Sequence, residues 1–342
     1  MASCKSTQPA PPASIVPEAA PSPETPDRAS LDAAIARAEA SRKRAADFEA
    51  ASYFPGDWES AEGLYAAAGG LPRTSAEEVR QAIAGYNAAA DAYDGVFRSS
   101  VPLYAQARED EIIAARDAAV ASGLAGQFPQ YLLKADRVVV AALDQYEKED
   151  FYAARDSAAQ ALVMYQALKS GADAYLTRQA ITNRNFAVYD PGNFDKADTA
   201  GLAAVGDYDA GNVEQARDGA EEASLLYALV LKTGWTAFTA EKRASADAQR
   251  QNALDFKANI AVRDSFNAAV QVFNQAETSL KAEKFEESAG LYEQSEALFL
   301  ESGRNAMEKR RIAEDAIQAA EEKMKESDET AKKAELILEG GE

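Results

Sequence analysis

The chain has 342 residues, with 36 Lys and Arg against 56 Asp and Glu, no histidine and one cysteine. A net charge of -20 argues against a nucleic-acid partner, because phosphate binding needs basic surface. The missing histidine removes the commonest general base, metal ligand and pH switch, and a single cysteine forbids an internal disulfide.

In chain order, the first predicted segment is residues 1–28, a Pro-rich stretch with too little apolar surface to fold. Seven prolines, from Pro9 to Pro26, make it an extended spacer. Just before them, Ala2-Ser3-Cys4 resembles the end of a bacterial lipoprotein signal peptide, in which the cysteine becomes the lipidated first residue. The resemblance implies a lipid anchor at Cys4, a mature form with an added start Met, and the periplasmic side of a bacterial envelope. The same residues also fit a plain disordered N-terminus with an incidental cysteine.

A folded body is expected over residues 29–302. Alanine dominates and β-branched runs are scarce; Val138-Val139-Val140 lies within a helical pattern. The expected class is therefore all-α. Ser30 can cap a helix through Ser52, with Leu31, Ile35, Ala38, Ala45 and Phe48 on one face. Pro55-Gly56 breaks it, and Asp57 can cap a helix starting at Trp58. Further helices are expected from Ala76 to about Tyr93 and from Leu103 to about Ala121, with a break near Ser122–Gly126. Residues 303–342 read as one long polar capping helix carrying a thin stripe of Ile312, Ala316, Ala320 and Met324.

One short phrase recurs five times: Tyr53–Trp58, Tyr146–Phe151, Tyr189–Phe194, Tyr208–Val213 and Leu280–Phe285. Each ends on an apolar residue followed by small or aromatic residues at offsets of three, seven and ten. Ala154, Ala158 and Ala161 follow Phe151; Ala197, Gly201 and Ala204 follow Phe194. Those offsets trace one stripe on a helix, so the phrase reads as a joint before a closely packed helix. A second phrase, Leu168–Gly171, Leu231–Gly234 and Leu300–Gly303, is expected to end those helices.

The joints and their small residues resemble tetratricopeptide repeats, with Gly56-Asp57-Trp58 followed by Ala61, Tyr65 and Ala68 the nearest match. The irregular joint spacing, and Val213 in place of an aromatic, depart from that pattern. The resemblance implies a helical-hairpin repeat α-solenoid with degenerate, irregularly spaced repeats; together with Cys4 it is similar to the repeat lipoproteins of bacterial envelopes, in the style of spirochaetes. It implies a groove for a protein or peptide partner.

Candidate chemistry is sparse. Asp207 to Asn212 fails the calcium-loop spacing, since Gly211 stands where a ligand should. No nucleophile elbow or phosphate loop is present, so neither enzyme activity nor a cofactor or metal is expected. Trp235 and Phe238 vary among the repeats and are groove candidates, although a place in the core fits them too. Arg178, Arg184 and Arg243 follow the second phrase and either line that groove or form a solvated face. Two functions remain: a membrane-anchored scaffold holding a protein or peptide in its groove, and a solute- or ligand-binding accessory of a transport system. An open polar groove would favour the first, an enclosed apolar cavity the second.

Overall fold

A computed structural model describes residues 28–123, 126 and 128–339. Cys4 and the spacer expected over 1–28 lie outside the described residues, except Arg28, which opens the first helix. Every regular element among the described residues is helical, with no strand. In chain order these are α1 (Arg28–Asp47), the single turn α2 (Ala50–Tyr53), α3 (Pro55–Gly69), α4 (Ala76–Ala121), α5 (Pro129–Glu147) and α6 (Phe151–Asn183). A 3-10 turn (Phe186–Tyr189) precedes α7 (Pro191–Ala210) and α8 (Val213–Asp255), and a single turn α9 (Ala258–Ala261) precedes α10 (Arg263–Lys281) and α11 (Phe285–Glu339).

The described residues divide into two compact units: those up to 113 with 142–158, and those of 114–141 with the ones from 159 onward. Short and long helices alternate in sequence. α3, α5, α7 and α10 have 15 to 20 residues, whereas α4, α6, α8 and α11 have 46, 33, 43 and 55. The long helices correct three sequence expectations. The glycine phrase does not stop them: Gly171, Gly234 and Gly303 all lie inside α6, α8 and α11. Each is followed by helix-compatible residues and no proline, and one interior glycine costs only about 0.5–1 kcal/mol. The helices expected on either side of Pro102 are one continuous α4, because proline removes a single ladder donor while Phe97 and Val101 beside it stay buried. The terminal helix begins at Phe285, not Gly303.

The five phrases are two kinds of joint. Before α6, α8 and α11 the chain makes a tight turn through one left-handed residue, Glu149, Gly211 or Glu283. Before α3 and α7 a left-handed residue (Glu49, Asn185) leads into a single turn of helix and then proline at the first helical position. Proline suits that position because its missing N–H would be unpaired anyway. The same longer joint recurs before α10, with Lys257 left-handed and Arg263 in the proline's place. The cap of α3 differs from expectation accordingly: the helix begins at Pro55, so Asp57 sits in its first turn; Asp190 caps α7 by accepting from Asn193 N.

The small-residue stripe is buried as its period requires. Ala61, Ala68, Ala154, Ala161, Ala197, Ala204, Ala216, Ala220 and Ala223 are each at most 7 % exposed. In the first unit α1 and α4 run parallel, pinned by Arg37 to Asp91 (2.5 Å) and Arg44 to Asp94 (2.6 Å). Ala68 and Gly85 let α3 approach α4 closely: a methyl group on Gly85 would lie 2.9 Å from Ala68 Cβ. In the second unit α8 serves two neighbourhoods. Its first part packs on α7, where Gly219 meets Ala204, and its second part runs parallel to α11. Thr239 donates to the Phe285 carbonyl (3.1 Å) and Ser245 to Glu296 (2.7 Å), while Lys242 pairs with Glu293 (2.6 Å). α10 lies antiparallel between them, accepting from Ser288 at the Ala276 carbonyl and from Ser295 at the Ala269 carbonyl. Beyond Ala306, α11 has no buried residue up to Leu338. No helix among the described residues is long and apolar enough to cross a membrane.

Candidate functional site

Polar chemistry concentrates in a group that occurs four times: an arginine, a carboxylate and a tyrosine drawn from three helices. The arginine precedes the carboxylate by 20 residues in Arg42–Glu62, Arg116–Asp136 and Arg178–Asp198. Each guanidinium grips its carboxylate with two N–H groups, at 2.5 and 3.1 Å, 2.9 and 3.2 Å, and 2.8 and 3.0 Å. A buried tyrosine hydroxyl donates to the same carboxylate: Tyr93 to Glu62 (2.8 Å), Tyr165 to Asp136 (2.6 Å) and Tyr227 to Asp198. In the fourth group Arg243 and Tyr292 both donate to Glu277, at 2.6 and 2.5 Å.

The electrostatics follow from that geometry. Hydrogen bonds from Arg42, Arg116 and Arg178 hold Glu62, Asp136 and Asp198 below the usual carboxylate range. Burial pulls Glu277 up, but the hydrogen bonds from Tyr292 and Arg243 outweigh it and the net direction is down. Burial first, and the ionised carboxylate second, raise the tyrosines; Tyr292 is pushed up to about 12. In each group the arginine and the tyrosine both hold the one carboxylate. The group staples helices rather than presenting a reactive atom.

The exception is the third group, which opens onto a cavity of about 370 Å³ wholly within the second unit. α6 supplies one wall, from Ala167 and Leu168 through Gly171 and Ala174 to Arg178, a spacing that keeps one helix face toward the space. α7 supplies Asp198, Gly201, Leu202, Val205 and Tyr208, and α8 supplies Ala216, Ala220, Ala223 and Tyr227. Phe128 and Tyr131, at the start of α5, close one side with Tyr175. These rings meet edge to face, Phe128 with Tyr175 at 5.8 Å and Tyr131 with Tyr208 at 5.6 Å. The Tyr208 hydroxyl donates to the Tyr131 carbonyl (2.9 Å), and Lys134 donates to the carbonyls of Tyr208 and Asp209 at the end of α7.

The cavity has a sequence cause. Counted from the first apolar residue after each joint, Gly201 on α7 corresponds to Phe273 on α10, and Ala220 on α8 to Tyr292 on α11. Phe273 and Tyr292 meet edge to face at 5.3 Å inside a filled core with Phe266 and Phe299. Where α7 and α8 meet, two aromatic rings are replaced by a hydrogen and a methyl group. Gly171 has no atom within 4 Å of where a methyl group would stand, and Gly201 only Ala223 Cβ at 3.7 Å.

The five residues singled out from sequence do not converge. Arg178 lines the cavity. Trp235 and Phe238 are half-buried around Phe186, at 5.1 and 5.8 Å, with Arg184 stacked 4.9 Å over Trp235 and paired to Glu286 (2.9 Å). Arg243 is held by Glu277. Sequence reasoning missed Gly201, Ala220, Tyr208 and Tyr227; the signal was the contrast between Gly201 and Phe273 at one offset. Among the described residues no group of three or more His, Cys, Asp or Glu could hold a metal ion. Comparison with protein-family models, curated proteins and solved structures gives no match, so the site is read from its own geometry.

Proposed function

We propose that this chain is a binding protein rather than a catalyst, a degenerate helical-repeat array that holds a small apolar ligand in the cavity between α6, α7 and α8, as a ligand-binding accessory of a transport system would. The observation that carries this reading is the cavity itself, a volume of about 370 Å³ left by two missing rings. Ligand pockets fall in the range of about 300–1,000 Å³ and are mostly apolar with a few placed polar groups. Arg178, Asp198 and Tyr227 at the cavity are spent on one another, which argues against acid–base work. In the same proposal Cys4 carries a lipid that tethers the chain to a bacterial envelope; labelled palmitate should enter the parent and not the Cys4→Ala variant.

The test of binding is extraction. Protein purified from its native source without denaturant should yield a small molecule to organic solvent, and Gly201→Phe, which refills the cavity, should yield none. Equal recovery from both, or none from the parent, overturns the reading. A second reading, a scaffold for a protein partner, is favoured by the α11 surface beyond Ala306, where Ile312, Ile317, Met324 and Leu336 are exposed. Capture of one protein by the parent, lost when residues 313–342 are removed, would support it.

A further inference from the structure

The cavity's chemistry narrows its ligand, given the reading that it is a ligand site. An engineered cavity of about 150 Å³ holds benzene, so about 370 Å³ has room for roughly two such rings. The paired rings at its side, Phe128 with Tyr175 and Tyr131 with Tyr208, offer edges and faces to an aromatic guest. Arg178 and Asp198 are the charged side chains lining it among the described residues, and they cancel. An ionic ligand would leave water and find no unspent counter-charge, which is costly. A neutral acceptor fares differently. A guanidinium carries five N–H donors, and Asp198 takes two of those on Arg178. We infer that the cavity selects a neutral, planar aromatic molecule of about two fused rings with one hydrogen-bond acceptor, and rejects its anionic and cationic counterparts.

Calorimetric titration of the purified full chain at pH 7 with four probes tests this: 2-naphthol, 2-naphthoate, 2-naphthylmethylammonium and 1-decanol. 2-Naphthol should bind at least about tenfold more tightly than either ion, a gap of about 1.4 kcal/mol, and more tightly than 1-decanol. Gly201→Phe should abolish its binding. Asp198→Asn frees the charge of Arg178 and should strengthen 2-naphthoate about tenfold. Circular dichroism checks that the variant is folded; if it is not, the parent's probe order still decides. Binding of an ion or of 1-decanol as tight as that of 2-naphthol, abolished by Gly201→Phe, would overturn the inference and leave the ligand-site reading standing. Binding of none of the four would overturn both.

Discussion

Three glycines at one position of a repeated phrase should respond differently to the same methyl group. At Gly234 the new carbon would lie 2.5 Å from Phe186 Cγ and 2.6 Å from its Cβ. Cβ is fixed to the backbone, so side-chain rotation cannot move it away. Phe186 is 1 % exposed, follows the left-handed Asn185 and is boxed in by Trp235, Phe238 and Tyr189. Relief therefore needs a backbone shift. Overpacking of this kind costs about 1–3 kcal/mol, against a gain of about 0.5–1 kcal/mol from replacing an interior helical glycine. Gly234→Ala should then lose about 1–2 kcal/mol net. At Gly303 the carbon would sit 3.5 Å from Ala253 Cα, ordinary contact, and at Gly171 nothing lies within 4 Å. Gly303→Ala should be neutral to mildly stabilising, and Gly171→Ala should gain about 0.5–1 kcal/mol. Urea unfolding followed by Trp235 fluorescence, in a Trp58→Phe background so that the signal reports the second unit, measures all three. A Gly234→Ala variant as stable as its parent would refute the close contact, and with it the packing of the joint before α7 on α8.

Tyr227→Phe removes a hydrogen bond to an ionised carboxylate and should cost about 1.5–3 kcal/mol by urea unfolding at pH 7. The penalty should shrink in acid: Asp198 is held below its ordinary 3.8, so its contribution is full above that value and fades as pH falls through the lower, folded value. Glu149→Gly should stabilise by about 1 kcal/mol, since Glu149 holds φ 61° at the turn where the equivalent Gly211 does so without strain; an unchanged urea midpoint would contradict this. Removing residues 313–342 should lower helicity by circular dichroism yet shift stability by less than about 0.5 kcal/mol, because every described side chain removed is exposed.

What was legible in the sequence was periodic. Offsets of three, seven and ten fix which face of a helix is buried whatever lies opposite, so Ala61, Ala154 and Ala223 were placed correctly from spacing alone. What was not legible depended on partners from other helices. A glycine in Leu231–Gly234 looks like a stop until Phe186 is known to press on it. The two joint types share a polar residue before an apolar one, and the left-handed residue that separates them, two positions before the helix or six, is not marked by its residue type. Arg178 stayed open between groove and solvated face because a local pattern cannot show a carboxylate 20 residues away on the next helix, although that interval, repeated three times, was there to be counted.

The fourth arginine–carboxylate–tyrosine group links the staples to the cavity. Arg243, Glu277 and Tyr292 stand about two helical turns along the packed helices from where the spacing of the third group would put them. The arginine and tyrosine come earlier on their ascending helices and the carboxylate later on the descending one, so the whole group has moved as a body. The move carries Tyr292 into the position matching Ala220, where its ring meets Phe273, and leaves Phe299 in the position matching Tyr227. In the third group the tyrosine stays at the far position, and small residues remain where α10 and α11 carry rings. The place of the staple does not alone decide whether the interior is filled or hollow. The first group keeps the third group's spacing, yet Tyr65 on α3 and Tyr86 on α4 meet edge to face at 5.3 Å, so the residues at the other turn fill the interior or leave it hollow. One set of three helices can be closed and its neighbour in sequence open, with the same small-residue stripe and the same fold. The hollow version leaves the Arg178–Asp198 pair at the edge of an apolar space, where the other three groups stand against packed helices.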